Sequence, residues 1–125
     1  MATIELTEEN FESTINDNDI VFIDFWAEWC GPCKSFAPIY EAVSEKHPDI
    51  VFGKVDTEAQ QNLAAQFQIR SIPTLMIFRD KVLLFAQPGM LSEQQMEDLI
   101  QQVRDLDMAK VHEEIARQQA EQGQG

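Results

Sequence analysis

Two cysteines, and only two, stand three positions apart in Trp29-Cys30-Gly31-Pro32-Cys33. A disulfide between them closes almost no loop, so it constrains the unfolded chain very little. The pair therefore calls for a chemical explanation rather than an architectural one. Two thiols at the N-terminus of a helix supply it, because unpaired backbone N–H groups and the helix dipole stabilise a thiolate there. In that arrangement Cys30 is the nucleophile. Cys33, inside the first turn, is close enough to attack the mixed disulfide that Cys30 makes with a substrate. Pro32 suits the first turn, where its missing N–H costs nothing, and Gly31 lets a partner's backbone approach closely. Other uses of the pair fit poorly. A structural zinc site needs four ligands, and only His47 and His112 remain, neither at ligand spacing. Iron–sulfur ligation usually takes four thiolates, and a Gly-Pro insert beside Trp29 suits an exposed turn better than an inert core pair. No metal is expected.

Asp24 is the second chemical signal. It is the one charge in the apolar run from Ile20 to Trp26. A carboxylate there is expensive unless it is paired or stays protonated. Two readings stand open: a bulge or edge lets it reach water, or it is a dry general acid/base near the cysteines with its pKa raised by desolvation. Lys54, the one charge in Ile50 to Val55, is either its neighbour or a solvent-facing strand lysine. Pro73, in Ile72-Pro73-Thr74, reads from spacing as a proline at a strand start rather than a cis bond.

The elements that must position these residues follow from periodicity. Thr3 to Leu6 reads as a short edge strand. Thr7 reads as an N-cap with Glu8 and Glu9 in the first turn, and Phe11 and Ile15 lie at helical spacing before the turn residues Asn16 to Asp19. Ile20 to Trp26 is apolar on both parities, the pattern of a strand buried on both faces. A helical pattern runs from Cys33 to Lys46, with Pro38 expected to kink or restart it. Ile50 to Val55 is another buried strand, and Glu58 to Phe67 a short helix. Thr74 to Arg79 and Val82 to Gln87 read as a hairpin around Asp80-Lys81. Ser92 opens the last clear helix with Gln95 as its capping-box partner; Met96, Leu99, Ile100, Val103 and Leu106 form its buried stripe. The order β-α-β-α-β-α-β-β-α predicts an α/β fold, a central mixed β-sheet flanked by helices on both faces. Residues 1–107 form the domain. Residues 108–125 are expected to be a helical extension or disordered tail, polar and Gly/Gln-rich from Gln118 onward.

Composition narrows the class. The 125 residues fit one domain, and a formal net charge of −13 argues against nucleic acid, because no basic stripe can neutralise phosphates. No apolar run approaches the ~20 residues of a membrane span. Met1 to Glu5 lacks the basic and apolar stretches of an export signal, so a cytoplasmic location is expected.

The residues from Trp29 to Cys33 resemble the active site of the thioredoxin family. So do Asp24-Phe25-Trp26-Ala27 before them, Lys34 and Ala37-Pro38 after them, Val51 to Asp56, Ile69 to Thr74, and Pro88-Gly89. The resemblance runs in register from about Thr3 to Leu106, far beyond a lone C-x-x-C. It implies a thioredoxin fold and a protein-disulfide reductase, with Cys30 attacking and Cys33 resolving. It implies that Asp24 serves Cys33 through a proton path with Lys54 beside it, and that Pro73 is a cis-proline facing the disulfide. The backbone of Ile72 would pair with an extended substrate segment. Trp29, Gly31, Pro32, Ile72 and Gly89 would form an apolar docking surface. The chain would hold no cofactor. Electrons would come from thioredoxin reductase, an NADPH-dependent flavoprotein, and pass to disulfide-containing client proteins. A monomer is expected.

Several positions depart from the family pattern. Asp80-Lys81 replaces an Asn-Gly-like pair, which points to another turn type. Ser71 replaces a common Gly, Pro88 a common aliphatic residue, and Met90 follows Gly89; these bear on client range. Two rivals differ in class. One is a thioredoxin-fold binding or folding-helper subunit with secondary redox activity, motivated by the acidic surface and the extra C-terminal helix. The other is an oxidase or isomerase of an oxidising compartment, against which Gly31-Pro32 and the missing export signal both weigh.

Overall fold

An apolar run on both parities needs cover on both sides, and Ile20–Trp26 receives it. The computed structural model describes residues 2–123. In chain order the elements are β1 (Thr3–Glu5), α1 (Phe11–Asp17), β2 (Ile20–Trp26), α2 (Gly31–Lys46) and β3 (Val51–Asp56). They continue with α3 (Gln61–Gln66), β4 (Thr74–Arg79), β5 (Val82–Pro88), α4 (Glu93–Asp105) and α5 (Met108–Gly123). The five strands form one sheet in the order β1-β3-β2-β4-β5. β1, β3 and β2 run parallel, whereas β4 is antiparallel to β2 and β5 to β4. β2 therefore lies at the centre, bonded on both edges.

Strand parity sorts its side chains. Ile20 and Phe22 pack with Phe36 and Tyr40 of α2 and with Met96 and Ile100 of α4. Val21, Ile23 and Phe25 pack on the other face, with Phe11 and Ile15 of α1 and Leu63 of α3. This is the α/β architecture with helices on both faces that the pattern predicts.

Several boundaries differ, each for a local reason. Thr7 does not cap α1. The Asn10 side chain accepts from the Thr7 N–H at 2.7 Å and donates to the Glu5 carbonyl at 3.1 Å, holding residues 7–10 in a turn. Glu8 and Glu9 lie in that turn, and Glu12 is the acid in the first helical turn. α2 runs through Pro38 without restarting. α3 is shorter than expected because the Asp56 carboxylate accepts from the N–H groups of Glu58 and Ala59, at 2.9 and 3.3 Å, and keeps that stretch a turn. Ile50 is buried but precedes β3.

The hairpin turn is not of another class. Asp80 and Lys81 have φ of 53° and 68°, both left-handed as a type I′ turn requires. Asp tolerates that region better than most residues. The Asp80 N–H also donates to the Asp19 carbonyl at 2.8 Å, and its carboxylate meets His112 Nε2 at 2.7 Å.

Ser92 and Gln95 form the expected capping box, at 3.1 and 2.9 Å. Met96, Ile100 and Val103 are buried and Leu99 half-buried, but Leu106 lies past the helix end and is 39% exposed. Arg79 closes that end by donating to the carbonyls of Val103, Arg104 and Leu106 at 2.7–3.3 Å. The extension is helical as far as Gly123. Its Ala, Gln, Glu and Arg are strong helix formers. Gln124 and Gly125 lie outside the described residues.

Candidate active site

β2 carries the chain to the C-terminal end of the sheet, where it leaves Trp26 and turns into α2. Cys30 is the N-cap of that helix. It adopts an extended conformation (φ −87°, ψ 110°), and its Sγ accepts from the Cys33 N–H at 3.2 Å. The sulfur thus occupies the place of a capping oxygen, at the positive end of a 16-residue helix. Cys30 and Cys33 form a disulfide with Cα atoms 5.2 Å apart. Both are nearly buried, packed with Ala27 and flanked by Trp26 and Ile72.

The loop before β4 faces the disulfide. The Ile72–Pro73 bond is cis, so Pro73 is more than a strand-start proline. Cys30 Sγ lies 3.6 Å from the Ile72 carbonyl oxygen. Gly89, with φ of 105°, donates its N–H to the Pro73 carbonyl at 2.8 Å, which ties the end of β5 to this loop. Gly31 and Pro32 are exposed on the first turn of α2, Pro73 is buried, and Ile72 is half-buried. A Cβ on Gly31 would meet nothing within 4 Å, so nothing inside the fold requires glycine there.

Asp24 does not reach water. It sits mid-strand in β2, paired in register with Lys54 on β3 and Leu75 on β4, and is completely buried. Parity places it on the α2 face, following Phe22. Neither carboxylate oxygen has a hydrogen-bond partner. Burial pushes its pKa up from 3.8 to about 7, against the opposing pull of the Lys54 ammonium. A desolvated carboxyl of this kind exchanges its proton near neutrality. Lys54 is half-buried, with its ammonium 4.9 Å from the centre of the Trp26 ring. It is the neighbour of Asp24, not merely a solvent-facing strand lysine.

Two residues near the site carry no signal in the sequence pattern. Tyr40 reads as part of an apolar stripe, yet its fully buried hydroxyl donates to the Gly53 carbonyl at 2.8 Å. Burial pushes its ionisation well above the ordinary value, and the charge of Asp24 adds to that. Glu58 reads as a helix start, yet it accepts from the Trp29 indole N–H at 2.7 Å. Partners 29 positions apart leave no trace in local periodicity. Among the described residues no group of three or more His, Cys, Asp or Glu is placed to hold a metal ion.

A family model described as Thioredoxin matches residues 2–105. The chain belongs to the thioredoxin family. It is 60% identical over 122 residues to a Streptomyces coelicolor protein named "Putative thioredoxin 2", covering 98% of this chain and 91% of the relative. It is 51% identical over 78 residues to thioredoxin C-3 of Corynebacterium nephridii, covering 62% of this chain and 54% of that protein. A thioredoxin of Buchnera aphidicola from Acyrthosiphon pisum is 38% identical over 99 residues, 78% of this chain and 92% of its own length. With this family membership and the Cys30–Cys33 disulfide, the chain is a thiol–disulfide oxidoreductase.

Proposed function

We propose that this thioredoxin-family chain is a reductase of protein disulfides, working through Cys30 as nucleophile and Cys33 as resolving thiol. The observation that carries the reading is the Cys30 sulfur in the capping position of α2, with the Cys33 N–H directed at it. A thiolate there is stabilised by the helix end. In the reduced protein Cys30 attacks one sulfur of a client disulfide. A mixed disulfide forms and the client's other sulfur leaves as a thiolate. Cys33 then loses its proton and attacks Cys30 Sγ. The client's second thiolate leaves, and the protein disulfide takes up the oxidation of the client: two electrons pass, and one S–S bond forms for each that breaks.

Asp24 serves the second step. With a pKa near 7 it accepts the Cys33 proton without a large uphill step, and Lys54 offsets the charge that results. Its unpartnered oxygens support this role, since no structural hydrogen bond holds them. Trp29, Gly31, Pro32, Ile72 and Gly89 form the surface on which the client rests, around the cis Pro73. The Ile72 backbone pairs with an extended client segment.

Recharging falls to thioredoxin reductase, an NADPH-dependent flavoprotein, and this chain needs no cofactor of its own. We place the protein in the cytoplasm as a monomeric electron carrier of redox homeostasis. Residues 1–107 form the working domain, and the extension after it carries the appended helix Met108–Gly123. No helix among the described residues is long and apolar enough to cross a membrane.

Substitution of each cysteine tests the assignment. Cys30→Ser abolishes insulin reduction, and Cys33→Ser accumulates mixed disulfides with clients that dithiothreitol releases. Reduction at the normal rate by Cys30→Ser would overturn it.

A further inference from the structure

Trp29 is 70% exposed, yet its indole has a partner within the fold. Its one polar atom, the indole N–H, donates to Glu58 at 2.7 Å. Glu58 is itself held by a folded turn: its N–H donates to the Asp56 carboxylate at 2.9 Å. The N–H and hydroxyl of Thr57 both donate to the carbonyl of Trp26, the last residue of β2, at 2.9 and 3.0 Å. The segment Trp26–Trp29 and the turn Asp56–Glu58 therefore staple each other at both ends. One end fixes the turn to the strand and the other fixes the indole to the turn. A large exposed ring on a loop normally samples several rotamers, and binding must then freeze one of them. That ordering weakens binding.

We infer that Glu58 is a positioning residue for client docking: it holds the Trp29 ring in the orientation that receives the client, before the client arrives. This deepens the reading of Trp29 as part of the docking surface and rests on it. Glu58 does not touch the reacting sulfurs in this scheme. Its loss therefore weakens client binding and leaves the thiol chemistry intact. The bond requires an acceptor rather than a charge, and a glutamine oxygen supplies one. Removing that acceptor frees the ring, with an expected rise in half-saturation of about threefold to tenfold.

The experiment reacts the fully reduced full-length protein with a disulfide peptide and follows the burst by stopped flow. Half-saturation and limiting rate are read separately, for the wild type and for Glu58→Ala, Glu58→Gln and Trp29→Ala. The Trp29 indole N–H resonance is followed in each Glu58 variant. Glu58→Ala is expected to raise half-saturation with the limiting rate unchanged, and to move the indole resonance toward the position of a free indole. Glu58→Gln is expected to restore both. If Glu58→Gln is as impaired as Glu58→Ala, charge rather than positioning is at work and the inference fails. It fails equally if Glu58→Ala binds normally while Trp29→Ala does not. Normal binding by Trp29→Ala would instead remove Trp29 from the docking surface, and the inference with it.

Discussion

On one face of β2, Val21, Ile23 and Phe25 enter a cluster of aliphatic and aromatic side chains. On the other, Ile20 and Phe22 are followed by Asp24, buried without a hydrogen-bond partner. The two faces belong to one strand and differ only in parity. The first behaves as a core, stabilised by burial at any pH. The second continues as a core until Asp24, one same-face position short of Trp26 at the disulfide-bearing end of the sheet, where it accepts a group that costs stability and gains a proton site near pH 7. The difference shows where the fold gives up stability for chemistry: at a single position on the face covered by α2.

Substitutions on each face sharpen that contrast. Phe25→Ala is expected to have the largest effect, a loss of about 3–5 kcal/mol from the missing ring and residual cavity. Denaturant melts should return the same loss at pH 5 and pH 9, because no proton is involved. Asp24→Asn is expected to act in the opposite direction. The native protein holds the Asp24 proton up to about pH 7, whereas the unfolded chain releases it near 3.8. The native state thus binds more protons between those values, and stability falls as pH rises through that interval. Asp24→Asn removes this penalty, stabilising the protein by on the order of 4 kcal/mol above pH 8 and by little below pH 4. Its release of client from the mixed disulfide should also lose its pH dependence near 7. A pH-independent change in stability would remove the buried-carboxyl account. Gly53→Ala is expected to have the smallest effect. Gly53 lies on the face opposite Lys54, and a Cβ there would overlap the fully buried Leu6 side chain. The cost is about 1–3 kcal/mol, read as a lower melting temperature with unchanged activity per folded molecule.

Much of this was legible in the sequence because it is periodic or local. The two-sided burial of Ile20–Trp26, the Ser92–Gln95 capping box and the cysteines at a helix start are each written within a few residues. Asp24 stood out because its charge breaks the pattern around it. Its choice between water and a dry site depended on strand order, which puts β2 between β3 and β4 and is set by contacts distant in sequence. The cis state of Ile72–Pro73 was invisible to spacing and came from family resemblance. Thr7, the start of α3 and the Asp80-Lys81 turn were misread for a common reason. In each case a side chain outside the expected motif makes a hydrogen bond that local propensity does not count: Asn10 and Asp56 accept from backbone N–H groups, and His112 donates to the Asp80 carboxylate. Glu58 and Tyr40 act through partners brought near only by the folded sheet.

In the proposed reductase, Cys30–Cys33 delivers electrons to protein disulfides. Equilibrating the protein with glutathione buffers of graded composition, and then with dithiothreitol buffers, tests it directly. A reductase pair lies well below the potentials of disulfide donors and isomerases. The pair is expected to stay oxidised in glutathione buffers poised at roughly −200 mV, where an isomerase-like pair is largely reduced, and to be reduced by dithiothreitol. Ready reduction by glutathione would make the chain a disulfide donor or isomerase and contradict the proposed direction of transfer.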